Sequence, residues 1–233
     1  MNNLFGSARN VDIVFCIDGT GSMTPFIDAI RTNARRFRSQ FVEAMTDMGS
    51  DIDALRIKVI VFRDYICDTI AMQESPFFEL PADESEYEAF LSGIEVLGGG
   101  DLPENGLEAL YLAIKSDFLA TRAKDRQVIV LFSDADALPL RDPRRTANPA
   151  YPSGMVDEAG LITAWACSTQ DASIKLRERQ KRLVMFCPPG TKYSELITKL
   201  NRSVFEPVQY KVGLGDIDFK EIIKIIAASA SNA

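Results

Sequence analysis

Four short runs of almost unbroken apolar residues set the limits on this chain: VDIVFCI at 11–17, IKVIVF at 57–62, QVIVLF at 127–132 and RLVMFC at 182–187. Each has the length of a strand and favours β-branched or bulky side chains, as strands buried on both faces do. Between them lie longer stretches whose apolar residues recur at three- and four-residue spacing. That alternation predicts an α/β fold, doubly wound, with a mostly parallel central sheet and helices on both faces. Residues 66–73 come soon enough after the second run to turn back beside it, which would give the sheet one antiparallel edge strand.

The longest helical stripe covers residues 25–48, where Phe26, Ile27, Ile30, Ala34, Phe37, Phe41, Met45 and Met48 share one face. Thr24 is placed to cap it, Pro25 suits its first turn and Gly49 its stop. Arg31, Arg35, Arg36 and Arg38 alternate with that stripe and read as a solvated face rather than an anion site. Further helices are expected over 84–94 (Asp83 and Glu86 at capping-box spacing), 103–119, 157–168, 192–200 and 218–229. Trp165 falls at core spacing. Arg63-Asp64, just past a strand, reads as a local ion pair. Residues 138–153 hold four prolines and read as a surface loop. With no repeat and no linker, 1–233 reads as a single domain.

The charge balance, 26 basic against 33 acidic residues for a net −7, argues against a nucleic-acid partner. No apolar stretch approaches the roughly 20 residues a bilayer span requires, and residues 1–10 lack the pattern of a signal peptide. The expectation is therefore no membrane. Cys16, Cys67, Cys167 and Cys187 form no CxxC pair, and two sit within strand-like runs, which favours a reducing, cytoplasmic setting. Histidine is absent. That removes Ser-His and Cys-His nucleophile pairs and most zinc sites, so any metal must be oxygen-bound.

The residues that carry chemistry stand just beyond the buried runs. After the first come Asp18-Gly19-Thr20-Gly21-Ser22, a carboxylate and two hydroxyls on alternate residues, and then a helix start with free N–H groups. The QVIVLF run ends at Ser133-Asp134, with Asp136 two residues on as a turn-stabilising carboxylate. In a parallel sheet, ligands gather beyond the carboxyl ends of the strands, near a reversal of strand order. If these two strands are neighbours, Asp18 and Asp134 repel, and a hard divalent cation relieves the repulsion while accepting the hydroxyls.

DGTGSM at 18–23, GGGDLPE at 98–104 and LFSDA at 131–135 resemble the three loops of a von Willebrand factor type A (vWA) domain, with its Rossmann-like fold. The resemblance implies a metal-ion-dependent adhesion site holding Mg²⁺, with Mn²⁺ or Ca²⁺ as substitutes. Thr20 and Ser22 would give hydroxyls, Asp18 and Asp134 would act largely through bound water, and a partner's carboxylate would complete the shell. It also implies a protein-binding module of the intracellular type, part of a larger assembly, and not an enzyme. Where the family usually offers a threonine, this chain has Gly100-Asp101. Asp101 has two roles open to it, metal ligand or N-cap of the next helix. As a ligand it would weaken the ion's pull on an acidic partner.

The alternatives are a Mg-dependent phosphohydrolase of haloacid-dehalogenase type and a purely structural domain. The first places its nucleophilic aspartate at position 16, which is a cysteine here. No GK[ST] comes after a glycine run, so a P-loop is absent too.

Overall fold

The apolar runs become the middle of the sheet because a strand rich in Val, Ile and Phe must hide both faces. In this computed structural model, which describes residues 8–98, 103–167, 171–210, 214 and 218–232, they are β1 (Arg9–Asp18), β2 (Ile52–Phe62), β5 (Arg126–Phe132) and β6 (Lys181–Cys187). Strand order is β3-β2-β1-β5-β6-β7, with β1 parallel to β2 and β5, β5 parallel to β6, and β6 parallel to β7 (Ser203–Pro207). The antiparallel edge is split in two. β3 (Met72–Glu74) pairs with Ile60–Phe62, and β4 (Phe78–Leu80) with Leu55–Ile57. Pro76 lies between them and has no N–H to donate to a ladder. The Ser75 hydroxyl instead takes the Val59 N–H at 2.9 Å.

Alternate residues of β1 feed two cores. Val11, Ile13, Phe15 and Ile17 meet α1 (Thr24–Asp47), α2 (Glu84–Ser92) and α7 (Phe219–Ser231) on one face. Val14 and Cys16 meet α3 (Gly106–Ile114), α5 (Glu158–Trp165) and α6 (Lys192–Ile197) on the other. Within α1 the expected stripe is buried from Phe26 to Met45, and Phe37 stacks on Phe41 with centroids 5.7 Å apart. Met48, past the helix end, is exposed. The basic face of α1 is largely solvated, with Arg35 and Arg36 exposed, but it also ties α1 to its neighbour. Arg31 donates to Leu91 O and Ile94 O, and Arg35 pairs with Glu88 at 2.7 Å, tying α1 to α2.

Several helix starts depart from the sequence reading. Thr24 lies inside α1; Met23 is its N-cap, after a 3₁₀ turn over Gly21–Met23, and the Thr24 hydroxyl donates to Gly21 O at 2.7 Å. Asp83 flanks α2 without capping it, because its carboxylate takes the Glu79 N–H instead. The helix expected over 103–119 spans only Gly106–Ile114, since Glu104 is extended and bridges to Ala137. The proline-rich stretch is not all surface. It contains a short helix, α4 (Pro143–Thr146), whose Arg145 is fully buried. Trp165 is core, as its spacing implies.

Phe41 is fully buried between helix and sheet. Phe41→Ala should lower the unfolding free energy by roughly 3–5 kcal/mol, read as a reduced midpoint in urea at unchanged slope.

Candidate metal centre

β1 and β5 run side by side in parallel, with Ile17 opposite Phe132. The next residues, Asp18 and Ser133, therefore emerge together where the strand order reverses. The Ser133 hydroxyl donates to Asp18 Oδ2 at 2.8 Å. Asp18 Oδ1 accepts from the Thr20 hydroxyl at 2.6 Å and the Thr20 N–H at 3.0 Å. One residue pair further out, the Ser22 hydroxyl donates to Asp134 Oδ1 at 2.9 Å. Two loops distant in sequence are thus joined through carboxylate–hydroxyl pairs. Asp18, Thr20, Ser22 and Asp134 come together, and Asp101 lies outside the described residues. Ser133, which the sequence reading did not single out, is as close to Asp18 as Thr20's backbone is.

The loop after β1 curls because nothing stands in its way at Gly19. A Cβ there would lie 2.7 Å from Val61 Cγ1 and 3.0 Å from Arg63 Nε. The Gly19 N–H bonds to Phe62 O at 2.9 Å, and Gly19 O takes the Leu97 N–H at 3.2 Å. Arg63 sits directly behind. It is not paired with Asp64; its guanidinium donates to Ile70 O at 2.9 Å and to Glu95 O. It thereby joins the two loops flanking the site.

Electrostatically the site is short of positive charge. Asp18 is fully buried, and burial pushes its carboxyl up to about 6, against the hydroxyl and amide bonds that favour the anion; Asp134 pushes it further. Nearby, burial lifts Glu104 to about 9, reinforced by Asp18, Asp64 and Asp68 and opposed by Arg145. Such a surplus of buried carboxylate is what a divalent cation relieves. Among the described residues no three carboxylates form a metal cluster. A cation here would rest on two aspartates and the hydroxyls, an all-oxygen set that suits Mg²⁺, Mn²⁺ or Ca²⁺. Asp136 has a structural task, since its Oδ1 takes the Lys192 N–H at the start of α6 at 2.8 Å. Cys16, at the position a dehalogenase-type nucleophile would hold, is buried with its thiol on Ala109 O.

The sequence model of the von Willebrand factor type A domain matches residues 12–156, more than half of the chain. This chain belongs to the vWA family. A protein described as an ariadne-like RING finger protein, from Acanthamoeba polyphaga mimivirus, is 26% identical over 125 residues, which is 54% of this chain and 11% of that protein. Two crystal structures of the pilus adhesin SpaC from Lactobacillus rhamnosus GG share the fold. Their TM-scores are 0.57 and, for the open conformation, 0.52, at 11% identity, covering 97% of this chain and 31% and 30% of theirs. The chain thus spans a small part of the relatives it matches.

In this vWA domain a buried ion pair braces the candidate site from the side. Asp64 accepts from Arg145 Nε at 2.9 Å, with both side chains almost wholly inaccessible, and Arg145 also donates to Pro103 O, one residue before Glu104. Arg145→Met leaves Asp64 charged, buried and unpaired, which should cost about 3–5 kcal/mol. The double variant Asp64→Asn/Arg145→Met should recover much of that in denaturant unfolding. No recovery would mean that the pair's packing, not its charge, is what matters.

Proposed function

We propose that this vWA domain is a metal-dependent protein-binding module with no chemistry of its own. The observation that carries the reading is the pairing of Asp18 with Thr20 and Ser133, and of Ser22 with Asp134, where two adjacent parallel strands end. Asp18, Thr20, Ser22 and Asp134 would hold one divalent ion, Mg²⁺ first, with Mn²⁺ or Ca²⁺ as substitutes. The bound ion supplies a Lewis-acidic position that an anionic oxygen from outside can fill. The chain's own residues do the rest. The buried aspartates supply negative charge, the hydroxyls orient it, and Arg63 holds the flanking loops.

The partner is then a protein offering an acidic side chain. A carboxylate gains most from an ion whose charge is not already cancelled, so Asp101, if it joins the set, weakens and narrows that binding. Four free cysteines support a reducing, intracellular setting. Among the described residues no helix is long and apolar enough to cross a membrane.

A ligand that binds only the folded state stabilises it by mass action, by roughly 2.7 kcal/mol at a hundredfold excess over Kd. Millimolar Mg²⁺ should raise the melting temperature of the EDTA-treated wild type and leave Asp18→Asn unmoved; equal shifts would locate the ion elsewhere. Asp101→Thr should bind an acidic peptide more tightly than wild type in the presence of Mg²⁺, and equal affinities would remove Asp101 from the site.

A further inference from the structure

At the opposite end of the sheet the charge reverses. Arg9 opens β1 and Arg126 opens β5, while loops bring Lys124, Arg179 and Arg202 alongside. These five basic residues line a pocket of about 370 Å³ in a chain whose net charge is −7. That volume falls in the range of roughly 300–1,000 Å³ typical of small-molecule sites. Asp51 is the only carboxylate among its described lining residues.

Part of this charge has a structural task. Arg9 donates to Ala230 O at 2.9 Å, Arg182 to Ser229 O at 3.1 Å, and Arg126 and Arg182 to Asn232 O at 2.8 and 2.6 Å. These bonds satisfy carbonyls at the C-terminal end of α7, where the helix carries about half a negative charge. The cations exceed that need. Arg126 is 5% exposed, yet its Nε has no hydrogen-bond partner, and neither has the buried Nε of Arg9. Lys124 and Arg179 are exposed and enter no ion pair among the described residues, and Arg202 reaches Glu178 only at 3.8 Å. The neighbouring Asp125 is already engaged by the Asn10 N–H and by Arg122. The guanidiniums also repel one another. Burial first, then Arg182, Arg9 and Arg202, bring Arg126 down to about 10.

We infer that this pocket, between the starts of β1 and β5, binds a small-molecule anion bearing a phosphoryl group. A guanidinium offers parallel N–H donors that match two phosphate oxygens, and Lys124 adds a point charge at the rim. Lys124 and Arg179, exposed at the rim, reach an anion directly, while the buried guanidinium of Arg126, whose Nη1 donates to Lys124 O and Asp125 O, acts through its charge; the mutual repulsion of the arginines falls. The pocket and Asp18 stand at opposite ends of the ten-residue β1, on the order of 30 Å apart at strand rise. The site is therefore independent of the metal centre.

The test is calorimetric titration of the full chain with pyrophosphate in EDTA, at constant ionic strength set with chloride, with citrate as a carboxylate anion for comparison. Wild type should bind pyrophosphate at one site, and Lys124→Ala/Arg179→Ala, altered only at exposed positions, should bind about tenfold more weakly, a loss of about 1.4 kcal/mol. Asp18→Asn should bind as wild type does. No heat above the chloride background, citrate binding as tightly as pyrophosphate, or unchanged affinity in the double variant would each overturn the assignment.

Discussion

Two carboxylates at the ends of adjacent parallel strands are the constraint around which the upper part of this molecule is arranged. The register that sets Ile17 beside Phe132 leaves no freedom over where Asp18 and Ser133 emerge, and Asp134 comes one residue later. Burial of Asp18 makes its charge costly, and three hydrogen bonds offset only part of that cost. Everything near the site serves to keep that arrangement fixed. Gly19 lets Arg63 approach, Arg63 ties down two loops, and the Ser133 N–H fastens to Phe186 O at 3.0 Å on the next strand.

Behind this site lies a second polar layer that reaches into the helical face. Asp64, Glu104, Glu108 and Arg145 come from three separate segments and are almost wholly buried. Tyr151 joins them by donating to Glu108 Oε1 at 2.9 Å, and its ring meets Tyr65 edge-on with centroids 5.1 Å apart. The proline-rich stretch after β5 therefore folds back as a brace. Such a network specifies one loop geometry more than it adds stability, because desolvating each charge offsets most of the attraction.

The sheet and its helices are legible in the sequence wherever a single period dominates. β1, β2, β5 and β6 are apolar enough to admit no other reading, and the stripe of α1 is seven buried residues long. β7 escapes such a reading because SVFEP is short, half-exposed and closed by a proline, so it carries neither alternation nor an apolar run. The pattern over α3 overstates its length because Phe118 is still buried after the helix has ended at Ile114. At the site, DGTGS and the strand-end SD pair mark four of the converging residues. The Asp64–Arg145 pair leaves no local trace, since its partners stand 81 positions apart and nothing near either residue names the other. The arginine pocket is equally hidden, being assembled from strand starts and loops that meet only in three dimensions.

The proposed function stands or falls on whether Asp18 and Asp134 share one cation. Electron paramagnetic resonance titration with Mn²⁺ counts bound ions directly. One tightly held Mn²⁺ per chain is expected, displaced by Mg²⁺ and lost in both Asp18→Asn and Asp134→Asn. Undiminished Mn²⁺ binding in either variant would contradict it.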